Sequence, residues 1–253
     1  MCSSDLRSLE DAALIGECLI AHDPADPDTR LGAAQRLAET CRSEPPATPR
    51  LAFVKSPAWD KADAATQAAF GELAEFLGDA CDEVALPPEF DAAIGDHRTI
   101  MHADLARFLG RYMDRGEDRI SEVLRGMIGD GKTVRAVDYN ASIDRITPLA
   151  DWVESLCEDY DAILTPAACG EAPLGLDATG DPVFCTTWTY LGVPAVTLPP
   201  SRKIVRSLPS VSMSVDRGCS SVSKVTVSRP LRTSIGRICS LKRPSSIATR
   251  ARS

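Results

Sequence analysis

The chain has 253 residues, 44% hydrophobic and 25% charged, the composition of a folding globular protein. No apolar run approaches the roughly 20 residues that span a bilayer, and residues 1–8 lack the charged start and apolar stretch of a secretory signal, so a cytoplasmic protein with no membrane partner is expected. The net charge of −8 divides unevenly: residues 1–200 carry 16 basic and 35 acidic side chains, whereas residues 201–253 carry 12 basic and one acidic.

In chain order, Ser8-Leu9-Glu10-Asp11 reads as a helix start, with Ser8 capping free amides and the two acids facing the positive end of the helix dipole. Apolar residues at Ala12, Leu14, Ile15, Cys18, Leu19 and Ile20 keep a helical rhythm until His22-Asp23-Pro24. A second short helix is expected over Leu31–Cys41, followed by an extended linker over Glu44–Pro49. Leu51–Lys55, closed by Ser56-Pro57, suits a buried strand. A helix from about Ala62 to Leu77 would place Ala65, Ala69, Leu73 and Phe76 on one face, stop at Gly78-Asp79 and lead to a second strand over Glu83–Leu86. This strand-helix-strand unit predicts a right-handed parallel crossover.

Helical rhythm runs from Phe90 to Tyr160, with breaks expected near Gly116 and Gly129–Gly131. Tyr160–Leu164 reads as a third strand ended by Thr165-Pro166. A Gly- and Pro-rich loop over Ala167–Pro182, a short helix over Phe184–Leu191 and a fourth strand over Pro194–Pro199 follow. Strands alternating with helices indicate an α/β fold on a mostly parallel sheet.

Beyond Pro200 the composition changes. Residues 201–253 hold 14 serines and no aromatic residue, a composition that suggests disorder, although Ser210–Val215 alternates like a strand. Basic, Ser-rich text raises nucleic-acid binding, but no fold or aromatic platform stands behind it, so no nucleic-acid partner is expected.

Several motifs are weaker than they look. Gly126-Met127-Ile128-Gly129-Asp130-Gly131-Lys132-Thr133 satisfies the GxxxxGK[ST] phosphate-loop pattern. That loop requires a buried strand upstream, and Glu117–Arg125 is charged and spaced like a helix, so a helix-helix turn using Gly129 and Gly131 is expected instead. His97 and His102 stand five apart, which points them in different directions on one helix, and no metal site is expected. The nine cysteines form no CxxC pair and are odd in number, so they are read as reduced thiols. No serine sits in a GxSxG elbow.

The segment from Asp161 to Pro199 carries a more specific pattern. Thr165-Pro166, Thr179-Gly180-Asp181-Pro182, Trp188-Thr189 and Leu191-Gly192-Val193-Pro194-Ala195 follow one another in the order found in amidase-signature proteins, which this segment resembles. Arg7-Ser8-Leu9-Glu10-Asp11-Ala12-Ala13-Leu14 is similar to the helix start just after that family's Gly- and Ser-rich signature. Asp23–Thr29 and Phe53–Trp59 sit where the family's loop and strand are expected. The resemblance covers about residues 7–199.

It implies an α/β fragment of the amidase-signature fold, a mixed twisted sheet covered by helices. It also implies hydrolysis of amide C–N bonds, or transfer of amide-derived ammonia, by a Ser-Ser-Lys triad whose oxyanion is held by backbone amides. No cofactor is implied. The partner expected for the intact parent is a small-molecule amide, with homodimerisation left open. A fragment of an aspartyl/glutamyl-tRNA amidotransferase A-type subunit and a non-catalytic binding protein are the alternative readings. No residue here matches the triad, because its members lie upstream of the family's counterpart of Ser8–Leu14; Lys55, Lys61 and Lys132 stand in other contexts. The resemblance brings the loop after Leu164 and the Phe184–Leu191 segment to the substrate pocket. Thr165, Thr187 and Trp188 are thus the candidate wall residues, with plain core packing as their alternative.

The two ends depart from the family. Cys2-Ser3-Ser4-Asp5-Leu6 is what TGC TCT TCC GAT CTN encodes, which resembles the end of a common sequencing adapter, so residues 1–6 read as artefact, with a genuine Ser- and Asp-containing start as the alternative. After Pro200 the expected Gly-rich strand and last helix are missing, and Ser- and Arg-rich text is what out-of-frame reading of a GC-rich gene tends to give. The expected organisation is an artefactual or disordered start at 1–6, the C-terminal part of an amidase-signature domain at 7–199 and a disordered tail at 200–253. Such a truncated chain is expected to be inactive alone.

Overall fold

A computed structural model describes residues 8–198, apart from 27, 28, 30, 31, 33–35, 46 and 177, together with the backbone of 225–228. The first helix, α1 (Leu9–Leu19), starts where its cap requires: the Ser8 hydroxyl accepts the Asp11 amide at 3.1 Å. The second, α2, spans only Leu37–Arg42, and most of the expected stretch before it lies outside the described residues. Glu17 joins the two helices by accepting the Ala38 amide at 2.8 Å, and Glu10 pairs with Arg42.

The crossover unit is present. Strand β1 (Leu51–Val54) leads through α3 (Ala64–Leu77) to β2 (Cys81–Val84), and the two strands pair in parallel from Leu51↔Cys81 to Val54↔Val84. The second strand therefore begins two residues before the expected Glu83. Leu86 lies outside the ladder because its partner strand β1 ends at Val54, opposite Val84, before the turn at Pro57. The acids of this edge strand face basic residues of its neighbour, with Arg50 on Asp82 at 3.0 Å and Lys55 on Glu83 at 2.7 Å.

Helix α3 also turns by about one position from the expected face. Ala65 is exposed, whereas Thr66 and Phe70 are buried, and Leu73, Ala74 and Leu77 pack with Phe70 against Phe53 and Leu164. The helix docks through Phe70, whose ring stacks on Phe53 at 5.9 Å, because an aromatic ring buries far more apolar area than the Ala65 methyl.

The helical middle divides into α4 (Ala93–Gly116), α5 (Glu122–Thr133), α6 (Ala136–Asp144) and α7 (Ile146–Asp159). The break at Gly116 is observed. The break at Gly129–Gly131 is not, since α5 runs through all of these glycines to Thr133. Gly131 is there for contact: a Cβ on it would lie 1.9 Å from the His102 carbonyl oxygen of α4. The phosphate-loop pattern thus lies inside a helix that follows a 3₁₀ turn at Glu117–Arg119, with neither strand nor loop to cradle phosphate.

Strand β3 (Ala162–Pro166) extends through Thr165-Pro166, beyond its expected end at Leu164, and pairs in parallel with β1. Helix α8 (Val183–Leu191) and strand β4 (Val196–Leu198) stand close to their expected places. Residues 225–228 form β5, which lies between β3 and β4 and is antiparallel to both. The sheet is thus mixed, in the order β2-β1-β3-β5-β4. Of the stretch 200–253, expected to be disordered, only 225–228 lies among the described residues; Ser210–Val215 and the rest lie outside them.

Period-two alternation sorts the core into layers. Ala52 and Val54 of β1 and Ile163 of β3 face Phe90, Ala93, Leu149, Val153 and Trp188, while Phe53 and Leu164 face α3. No helix among the described residues is long and apolar enough to cross a membrane.

Candidate functional site

The loop between β3 and α8 is held at both ends. Asp63 caps α3 by accepting the Thr66 amide at 2.7 Å, and its own N–H donates to the Cys169 carbonyl at 2.7 Å. The amide and hydroxyl of Thr66 hold the Asp63 carboxyl below its usual range. At the far end Asp181 performs two tasks: one oxygen accepts the Val183 amide at 3.0 Å and opens α8, and the other meets Lys61 at 3.1 Å. Gly180 beside it has φ +92°, a conformation that favours glycine, which accounts for a Gly before Asp181-Pro182. Burial and then Asp181 push the Cys169 thiol up, so it is not a poised nucleophile.

This anchoring fixes where the three candidate wall residues lie. Thr165 is on β3 at 0% exposure, and Thr187 and Trp188 are adjacent on α8 at 1% each. Trp188 joins the cluster that contains Ile163, and Thr165 shares the face of Ile163 because two residues separate them along the strand. Both segments therefore feed one side of the sheet. Among the described residues, three buried side-chain polar atoms have no hydrogen-bond partner: Thr165 Oγ1, Thr187 Oγ1 and Trp188 Nε1. They belong to the three residues singled out from the sequence. Native interiors satisfy nearly all such atoms, and leaving one bare costs about 1–3 kcal/mol.

Valine substitutions separate the polar atoms from the packing around them. Thr165→Val and Thr187→Val replace an unpartnered hydroxyl by a methyl of similar size, so each should leave stability unchanged or raise it by about 1 kcal/mol. Urea unfolding monitored by Trp fluorescence reads this. A loss above about 1 kcal/mol would mean that the hydroxyl has a partner in the folded chain.

A second cluster was not legible in the sequence. Asp96 of α4, 6% exposed, accepts from Arg145 Nε at 2.6 Å, from Ser142 Oγ at 2.9 Å and from Tyr190 Oη at 3.3 Å. A second guanidinium nitrogen of Arg145 also reaches it, and Tyr190 Oη lies 2.5 Å from the Ser142 carbonyl. Burial pushes the Asp96 carboxyl up, but the bonds from Arg145, Ser142 and Tyr190 outweigh it and hold the group below its usual range. Burial and the Asp96 charge drive the Tyr190 phenol well above its usual value, so it stays a neutral donor. These four residues tie α4 and α6 to the start of α7 and to the end of α8. The available signal was an acid at the helical spacing of Ala93 and Ile100, since a charge inside an apolar stripe requires a buried partner. His102 faces Asp130 at 3.5 Å across α4 and α5. No group of three or more His, Cys, Asp or Glu side chains among the described residues is placed to hold a metal ion.

No family model matches the sequence, and no curated protein matches it. Solved structures do match its fold. One, from a vestigial protein complex bearing on the origins of an s-triazine catabolic enzyme, has a TM-score of 0.67 at 18% identity and covers 87% of this chain and 48% of its own. A 6-aminohexanoate cyclic dimer hydrolase complexed with substrate gives 0.59 at 22% identity, with 88% and 49% covered. A bacterial aryl acylamidase of the amidase signature enzymes family gives 0.60 at 15% identity, with 88% and 48% covered. The chain spans about half the length of these structures. With its mixed sheet, α3 on one face and α4, α7 and α8 on the other, this chain has the amidase-signature fold.

Proposed function

We propose that the chain belongs to a cytoplasmic amidase and supplies the helical wall of an amide-binding pocket, while the Ser-Ser-Lys chemistry resides in residues outside this sequence. One observation carries the reading: the three unpartnered buried polar atoms fall on Thr165, Thr187 and Trp188, in the two segments that bear the family's motifs. Two hydroxyls and an indole N–H suit an amide, which offers an acceptor oxygen and donor hydrogens. The fold likeness supports amide hydrolysis as the chemistry of the whole protein.

On this reading the chain alone lacks both the activated nucleophile and the oxyanion donors, and each is worth orders of magnitude in rate. Purified protein of this sequence, incubated with an aryl amide such as a p-nitroanilide, should release product no faster than buffer. Turnover above that control, abolished by a serine-directed inhibitor, would overturn the proposal by locating the chemistry within these 253 residues.

A further inference from the structure

Beside the Asp96 cluster lies an open cavity of about 220 Å³ lined by His97, Ile100, Met101, Ile146, Thr189 and Tyr190. The first three stand at i, i+3 and i+4 on α4, so one helix face forms a wall. Ile146 is the first residue of α7, and Thr189 and Tyr190 belong to the last turn of α8. Each wall is fixed by the ionic cluster: Asp96 precedes His97, Arg145 precedes Ile146, and Tyr190 belongs to both cluster and cavity. The cavity is therefore pre-organised, which lowers the cost of filling it. Its size fits one ring with one or two further heavy atoms, since a cavity of roughly 150 Å³ accepts benzene.

The lining also sets the charge. Ile100, Met101 and Ile146 offer only apolar surface. Asp96 and Arg145, which adjoin the cavity in sequence, neutralise one another. Burial, with a smaller contribution from His102, holds the His97 imidazole below its usual range, so at neutral pH it is an uncharged hydrogen-bonding group. We propose that this cavity is a binding site for a small, uncharged ring or branched alkyl group carrying one polar atom, which hydrogen-bonds to His97. The inference stands on the cavity alone and does not require the amidase reading.

Three probes with one ring and three charges test it: benzyl alcohol, benzoate and benzylammonium, titrated at pH 7 against protein carrying ¹³C-methyl methionine. Benzyl alcohol should shift the Met101 methyl resonance saturably, with the two ions binding at least about fivefold more weakly. Thr189→Trp, at an exposed position on the rim, should abolish the shift while leaving the unfolding midpoint unchanged. His97→Leu should weaken benzyl alcohol at least threefold and leave toluene unaffected. The proposal is overturned if benzyl alcohol gives no saturable shift, if its shift persists in Thr189→Trp, or if all three charges bind alike. None of these outcomes bears on the hydrolysis test above, so the two readings fail separately.

Discussion

Replacing Asp96 with alanine is expected to destabilise the chain by about 3 kcal/mol, the loss typical of removing one partner from a buried ion pair. For a domain of this size that is a fall of about 8 °C in the unfolding midpoint. The change leaves the Tyr190 and Ser142 hydroxyls without their carboxylate and the Arg145 guanidinium without its counter-charge. The Arg145 side chain is 45% exposed, so water takes up part of its charge, which keeps the loss near the lower end of the range. Asp96→Asn keeps the shape and one acceptor and should cost less than Asp96→Ala.

The pH dependence follows from the same geometry. The folded Asp96 carboxyl lies below its unfolded value of about 3.9, so the folded state binds its proton less readily. Its stabilisation is fully present above that unfolded value and is lost as pH falls through the folded one. The difference in stability between the parent chain and Asp96→Asn should therefore be full at pH 7 and shrink below about pH 4. Thermal unfolding of both proteins from pH 7 to pH 3 reads this, and a constant difference would remove the ionised carboxylate from the account.

Gly131→Ala should cost at least about 2 kcal/mol, within the range for overpacking a tight contact. The added Cβ would sit 1.9 Å from the His102 carbonyl oxygen and 2.9 Å from the Ala106 Cβ, and backbone cannot rotate aside as a side chain does. Helices α4 and α5 must separate, which also lengthens the 3.5 Å approach of His102 to Asp130. Alanine is the better helix former by up to about 1 kcal/mol, so the sign is informative. The control is Gly129→Ala, where a Cβ meets nothing within 4 Å and stability should rise. Equal effects at the two positions, measured by urea unfolding, would contradict the close crossing.

The sequence determined by itself those features that arise from neighbouring residues. Ser8 and its acids announce α1, Leu51–Val54 and its closing Ser-Pro mark a buried strand, and Thr179–Pro182 followed by an aromatic helix places α8. The family resemblance directed attention to Thr165, Thr187 and Trp188, because the strings that carry it contain or adjoin them. Tertiary structure decided the rest, because the deciding contacts join residues far apart in the chain. The register of β2 against β1, the rotation of α3 about Phe70 and the use of Gly131 as a crossing point depend on which surface each element meets. Asp96, Ser142, Arg145 and Tyr190 span 94 residues from first to last, and no local period links them. Their pairing exists because the fold buries an acid that must find hydrogen bonds, and the cavity beside them lies where that pairing holds α4, α7 and α8 together.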